Sequence, residues 1–279
     1  MKKVCLVLSG MLLFLLMIGA AMSFFSRMQT GEKIGLIKVE GTITGSGDVI
    51  STLRRFSDDP SIKAIVMRVD SPGGGVGPSQ EIHEEVQKAV AKKPVIVSMG
   101  SLAASGGYYI SVPATKIFAN PGTLTGSIGV IMEVPNVRGL LNKIGVRAEI
   151  IKSGKNKDIG SLFKNMTAEQ RRILQGTLDN VHEQFIQAVA AGRKMPVDVV
   201  KRLADGRVFT GQQAKTLGLV DELGDLEDAI NAAKTMAGIK GKPTIVEKKK
   251  STGILDFFKS RVSLPDIYPS FKIGYLFAP

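Results

Sequence analysis

The stretch Ala64–Gly100, AIVMRVDSPGGGVGPSQEIHEEVQKAVAKKPVIVSMG, decides the architecture. Ala64 to Val69 is a short apolar run that ends abruptly at Asp70-Ser71-Pro72-Gly73-Gly74-Gly75. Ser79 to Ala91 follows with Ile82, Val86 and Val90 on one stripe, the spacing of an amphipathic helix. Val95 to Met99 is apolar again. A strand, a glycine-rich turn, a helix and a strand form the repeating unit of a parallel sheet. Continuous rather than alternating apolar strands fit a sheet covered on both faces. Outward from this unit, Ile34–Val39 reads as a strand and Asp48–Phe56 as a helix. Ser127–Met132 and Arg147–Lys152 read as later strands. Thr167 with Gln170 makes a capping box. Leu174, Leu178, Val181, Phe185 and Val189 then follow at helical spacing. Shorter helices are predicted over 196–204, 211–217 and 225–236. The fold class is α/β, with no internal repeat.

Composition narrows the function. With 44% hydrophobic and 22% charged residues, the chain is globular rather than disordered. The net charge of +12 comes from scattered residues apart from Lys248-Lys249-Lys250, and there is no Trp and only four Tyr. An aromatic-interleaved nucleic-acid face is therefore not indicated, and the excess is read as solvated surface. The single cysteine, Cys5, forms no internal disulfide, and two histidines, His83 and His182, exclude a three-His zinc site. Neither a metal nor an organic cofactor is indicated.

Lys2 and Lys3 precede an apolar stretch from Val4 to about Phe25, long enough to cross a bilayer as a helix. A retained single-pass anchor over residues 1–26 is favoured over a signal peptide cut after Ala21. The leading lysines keep the N-terminus cytoplasmic and put the rest on the extracytoplasmic (periplasmic) side of the inner membrane. The main domain is expected over 27–240, with a C-terminal extension over 241–279. Phe257, Phe258, Tyr268, Phe271, Tyr275 and Phe277 of that extension are costly to expose. They are expected to pack on their own or a neighbouring subunit.

Four segments carry potential chemistry. Gly100-Ser101-Leu102-Ala103-Ala104-Ser105-Gly106-Gly107-Tyr108-Tyr109 follows a strand and opens a helix, whose free N–H groups favour negative charge. Its bland reading is a tight packing turn. Asp70–Gly75 offers unobstructed backbone N–H groups, or a plain turn; no P-loop lysine follows. Thr123–Val130 places Ser127 at the start of a strand among glycines. Lys152-Ser153-Gly154-Lys155-Asn156-Lys157-Asp158 is a loop with three lysines, ordinarily a solvated one.

Taken in this order and spacing, Asp70–Gly75, Gly100–Tyr109, Pro121–Val130 and Lys152–Asp158 resemble signal peptide peptidase A in its short, single-unit form, over about residues 33–240. The resemblance implies a Clp protease/crotonase-like β-β-α spiral and a Ser–Lys dyad. It implies Ser105 as nucleophile and Lys157 as general base, because the family lysine directly precedes Asp or Ser. Ser127 falls where the family has a hydroxyl contacting the lysine, and Gly74 and Gly106 where it has the oxyanion donors. It further implies a homo-octamer whose sites join Ser and Lys of adjacent protomers, and remnant signal peptides as substrates. Two departures stand out: Ser161-Leu162 where the family often has Ser-Pro, and His182 for a frequent Tyr.

A hydroxyl needs a base to become nucleophilic, and neither histidine lies in a glycine-rich turn. A lysine amine can serve only when neutral, against an ordinary pKa of about 10.4, and burial disfavours the ammonium. The loop 153–160 must therefore be covered. The rival readings are a crotonase-type acyl-CoA enzyme on the same fold and a non-catalytic membrane-tethered scaffold.

Overall fold

The structure is a computed structural model that describes residues 17–18, 32–248 and 274–276. The expected anchor lies outside the described residues apart from Met17 and Ile18, as do the aromatic residues of the tail other than Tyr275. No helix among the described residues is long and apolar enough to cross a membrane.

The first half alternates as the hydrophobic pattern predicts: β1 (Lys33–Glu40), α1 (Gly47–Asp58), β2 (Ile62–Ser71), β3 (Gly73–Gly75), α2 (Val76–Val90), β4 (Val95–Ala104), α3 (Gly106–Ser111), β5 (Lys116–Ala119) and β6 (Leu124–Gly126). The second half is mostly helical: α4 (Arg138–Lys143), α5 (Ala168–Arg193), α6 (Val197–Leu203), β7 (Val208–Thr210), α7 (Gly211–Thr216), β8 (Glu222–Leu223), α8 (Leu226–Met236), β9 (Thr244–Glu247) and β10 (Gly274–Leu276). The main sheet runs β7-β6-β4-β2-β1-β9, with β5 and β8 continuing from β4. Its pairings are parallel except β6 with β7.

Both faces of the sheet are covered, and this explains the unbroken apolar runs. Ile65, Met67 and Val69 of β2 pack with Leu53 and Phe56 of α1 and Ile82 and Val86 of α2. The alternate residues Ala64 and Val66 point the other way, onto Ala229, Ile230 and Ala233 of α8. Each fully buried large side chain here is worth about 1.5–3 kcal/mol relative to exposure. At the head of α5 both bonds of the capping box form, Thr167 accepting from the Gln170 N–H and Gln170 accepting from the Thr167 N–H.

Two expected strands are absent. Ser127–Met132 is not a strand: β6 ends at Gly126, and positive φ at Gly126 (79°) and Ser127 (50°) turns the chain out of the ladder. Only Ile131 pairs again, as an isolated bridge to Gly274. Arg147–Lys152 is not a strand either. Its residues are exposed, Ile151 98% so, and it pairs with no strand among the described residues.

The short strand β10 lies against β3 in antiparallel register, with Tyr275 opposite Gly74. It is pinned on its other edge by Ile131 and Gly274, which exchange both backbone hydrogen bonds at 3.2 Å.

Candidate active site

Ser105 sits where β4 passes into α3. Its backbone is at φ 52°, ψ −117°, a conformation costing on the order of 1–3 kcal/mol for a non-glycine residue. Two backbone bonds hold it there: its N–H donates to the Gly126 carbonyl and its carbonyl accepts from the Tyr109 N–H, both at 2.8 Å. The side chain of Asp70 ties down the end of β4 by accepting from the Leu102 N–H at 3.1 Å. Ser105 is only 1% exposed.

Three of the other sequence-expected residues gather around it. Ala104 pairs with Gly126, so Ser105 and Ser127 are the next residues along two neighbouring strands. Ser127 is also at positive φ, is buried, and donates its N–H to the Arg207 carbonyl at 2.9 Å. A Cβ on Gly106 would fall 3.1 Å from the Gly74 nitrogen and the same distance from the Gly73 Cα, so the two glycine segments are in contact. That approach requires glycine. A Cβ on Gly74 would lie 2.1 Å from the Ile43 carbonyl oxygen, and Gly73 holds φ at +99°.

The edges of β3 differ in use. Ile43 donates to the Gly73 carbonyl and accepts from the Gly75 N–H, each at 2.8 Å. Backbone groups alternate in direction along a strand, so the Gly74 N–H and C=O face the opposite edge, toward β10.

Lys157 is exposed, and its amine has no hydrogen-bond or ion-pair partner among the described residues. The other two loop lysines are engaged. Lys152 reaches Asp158 at 2.6 Å and the Lys155 carbonyl at 2.9 Å, while Lys155 pairs with Glu169 at 2.7 Å. Lys164 also pairs with Asp158 at 2.7 Å. Hydrogen bonds from Lys152 and Lys164 hold the Asp158 carboxyl down at about 2. The anchored Asp158 thus shapes the loop and leaves Lys157 as the uncommitted amine. The segments before and after this loop expose Leu140, Ile144, Val146, Ile150, Ile151 and Phe163. A cavity of about 410 Å³ opens beside Ser127, lined among others by Ile131, Leu178, Asp179, His182 and Asp205.

Sequence reading missed an aromatic cluster. Tyr109, Phe185 and Tyr275 form a triangle with ring centroids 4.8–5.0 Å apart, and the His83 ring packs against Tyr109 at 4.7 Å, tilted by 43°. Burial pushes the His83 pKa down to about 4, so its ring is neutral at pH 7. Positions 83, 109, 185 and 275 have no local signature linking them; only the fold brings them together.

The profile of Peptidase family S49 matches residues 87–240, and that of Clp protease matches residues 20–125. With Ser105 at a buried strand-to-helix elbow, these matches define a serine peptidase on a Clp protease-like α/β fold. The chain belongs to peptidase family S49. It is 44% identical over 214 residues to slr0021 of Synechocystis sp., named as a candidate protease, covering 76% of this chain and 77% of that one. It is 41% identical to Protease 4 of Salmonella typhi, over 76% of this chain and 36% of that one. To the chloroplastic serine protease SPPA of Arabidopsis thaliana it is 34% identical, over 84% of this chain and 34% of that one. The chain thus spans about a third of the length of the latter two. Family membership favours peptide hydrolysis over acyl-CoA chemistry or a non-catalytic scaffold.

Proposed function

We propose that the chain is a membrane-anchored endopeptidase in which Ser105 is the nucleophile and Lys157, presented by a neighbouring copy, is the general base. The observation that carries this is the elbow: a buried serine in a strained backbone, flanked by Gly106 and in contact with the Gly73-Gly74 segment. In the proposed reaction the Ser105 hydroxyl oxygen attacks a peptide carbonyl carbon as its proton passes to the Lys157 amine. The Gly74 and Gly106 N–H groups receive the charge that develops on the carbonyl oxygen. The C–N bond breaks, the departing amine takes the proton from the lysine, and water hydrolyses the acyl-enzyme ester.

Two features support a base from another copy. Lys157 has no hydrogen-bond or ion-pair partner among the described residues, and the segment preceding its loop exposes Leu140, Ile144, Val146, Ile150 and Ile151, a surface suited to burial between subunits. Subunit contact would exclude water from the amine, which a lysine base requires. Ser127, which lines the cavity of about 410 Å³ and follows the residue paired with Ala104, is suited to receive and orient that amine. An octameric ring is the arrangement implied by the resemblance. The apolar segment Val4–Phe25 supports anchoring, with the domain outside the cytoplasm. A site held at that membrane face fits apolar remnant signal peptides as substrates.

A fluorophosphonate probe tests the assignment. Wild type is expected to label at Ser105, and Ser105→Ala not at all. Lys157→Ala should label at least about 100-fold more slowly while melting like wild type. Undiminished labelling of Lys157→Ala would remove the base from the scheme.

A further inference from the structure

We propose that the end of the domain where its parallel strands begin is a docking face for a bilayer with anionic headgroups, held there by lysines around the starts of β1, β2, β4 and β9. The proposal rests on the reading of Val4–Phe25 as an anchor given above.

Strand register puts these starts side by side. Lys33, the first residue of β1, pairs with Ile62 of β2 on one side and Thr244 of β9 on the other, and Val95 at the start of β4 pairs with Ile65. The turns 59–61, 91–94 and 237–243, which follow α1, α2 and α8, therefore lie at one end of the domain. Lys33 and Lys63 belong to the strand starts, Lys92 and Lys93 to the turn before β4, and Lys240 and Lys242 to the turn before β9. Against these six lysines stand three carboxylates, Glu32, Asp58 and Asp59. Two of the three are engaged within the fold. Asp58 pairs with Lys92 at 2.8 Å, and Asp59 accepts from the Ser61 N–H at 2.8 Å and from its hydroxyl at 2.7 Å. Lys63, Lys240 and Lys242 are exposed, with no hydrogen-bond or ion-pair partner among the described residues. A helix C-terminus favours a nearby cation, which accounts for Lys92 and Lys93 directly after α2. It does not account for Lys63, which lies in a strand, or for Lys240 and Lys242, which stand beyond the last turn of α8.

What this face meets follows from the chain that enters it. Residues 26–31 join the apolar segment to Glu32 and, even fully extended, reach no further than about 20 Å. The start of β1 is therefore tethered within that distance of the bilayer. Each lysine brought to an anionic surface strengthens binding about fivefold, and only within a Debye length of about 10 Å. Met236, 46% exposed on the last turn of α8, adds an apolar side chain to the same end. Ser105 follows the far end of the ten-residue β4, about 30 Å away. A domain docked this way stands on its strand starts, and a peptide leaves the membrane to reach the nucleophile.

The test uses full-length protein in nanodiscs of phosphatidylcholine, alone or mixed with phosphatidylglycerol. A water-soluble acetylating reagent is the probe, and the rate at each lysine is read by mass spectrometry. Phosphatidylglycerol should slow acetylation of Lys63, Lys92, Lys240 and Lys242 at least about fivefold, leave the exposed Lys201 of α6 unchanged, and lose its effect at high salt. The triple variant Lys63→Gln, Lys240→Gln, Lys242→Gln changes only exposed side chains. It should melt like wild type and abolish the slowing at Lys92. Equal rates in the two bilayers overturn the proposal, as does a slowing at Lys92 that survives the triple variant. Rates already slow in phosphatidylcholine alone also overturn it, since protein, such as a second copy of this chain, would then cover the face. Recovery of the chain in phosphatidylcholine nanodiscs reads the anchor separately. A chain that stays out of them but is protected by added phosphatidylglycerol vesicles refutes the anchor alone, and one that enters them without charge-dependent protection refutes the docking face alone.

Discussion

The elbow around Ser105 and the loop around Lys157 are built in opposite ways. The elbow is interior: Ser105 is fixed by two backbone bonds, and Gly106 touches the Gly73-Gly74 segment so closely that neither approach admits a side chain. The loop is exterior, shaped by ion pairs of Asp158 with Lys152 and Lys164, and it follows directly on the exposed Ile150 and Ile151. The proposed nucleophile is held by the chain's own core, whereas the proposed base is exposed among the described residues. Under the proposed scheme the nucleophile is ready before assembly, and assembly would supply the base.

The sharpest way to break that comparison is to exchange the three loop lysines one at a time. Lys157→Ala should lower kcat on a peptide substrate by about 10³-fold. Lys155→Ala and Lys152→Ala, which remove ion pairs at the surface, should lower it less than tenfold. A ranking led by Lys152 would mean that the committed amine, not the free one, is the base. Next, Ile151→Asp puts a charge on a side chain that is almost fully exposed in the single chain. Its effect on the stability of an isolated copy should stay within about 0.5 kcal/mol. Its effect on assembly, read by light scattering, should be dissociation, with activity per subunit falling about 10-fold or more. Loss of activity without dissociation would detach the loop from subunit contact. The smallest effect concerns the interior half. The His83 ring stays neutral in the folded chain down to about 4, whereas an unfolded histidine takes a proton near 6.5. The folded state's advantage is therefore complete above about pH 6.5, declines as pH falls toward 4, and is flat below. Urea unfolding at pH 7 and pH 4.5 should show wild type losing roughly 2 kcal/mol more than His83→Gln.

How far the sequence carried depended on whether local pattern or distant pairing set each element. The runs at Ile34–Val39 and Ala64–Val69 were legible because burial on both faces leaves no polar alternation to confuse. Helix α5 announced itself through Thr167 and Gln170. Arg147–Lys152 misled because Ile150 and Ile151, apolar enough to suggest a buried strand, are exposed. Ser127–Met132 misled because positive φ at a serine has no signature in residue type. The glycine segments and Ser105 stood out by composition, and Lys157 was singled out by resemblance; that it has no ion-pair partner among the described residues emerged only from the fold. The pairing of residues 274–276 with 73–75 crosses about 200 positions, and no local rule reaches that far.

The bond from the Ser105 amide to the Gly126 carbonyl has a practical corollary for anyone grafting this elbow elsewhere. Ser127 follows directly on the residue that grips Ser105, so the two serines are tied through one backbone hydrogen bond and one peptide linkage. A transplant that moves only residues 100–109 would leave the second hydroxyl, and the grip itself, behind. The portable unit takes in segments 100–109 and 121–130 together with the Gly73-Gly74 segment that Gly106 touches.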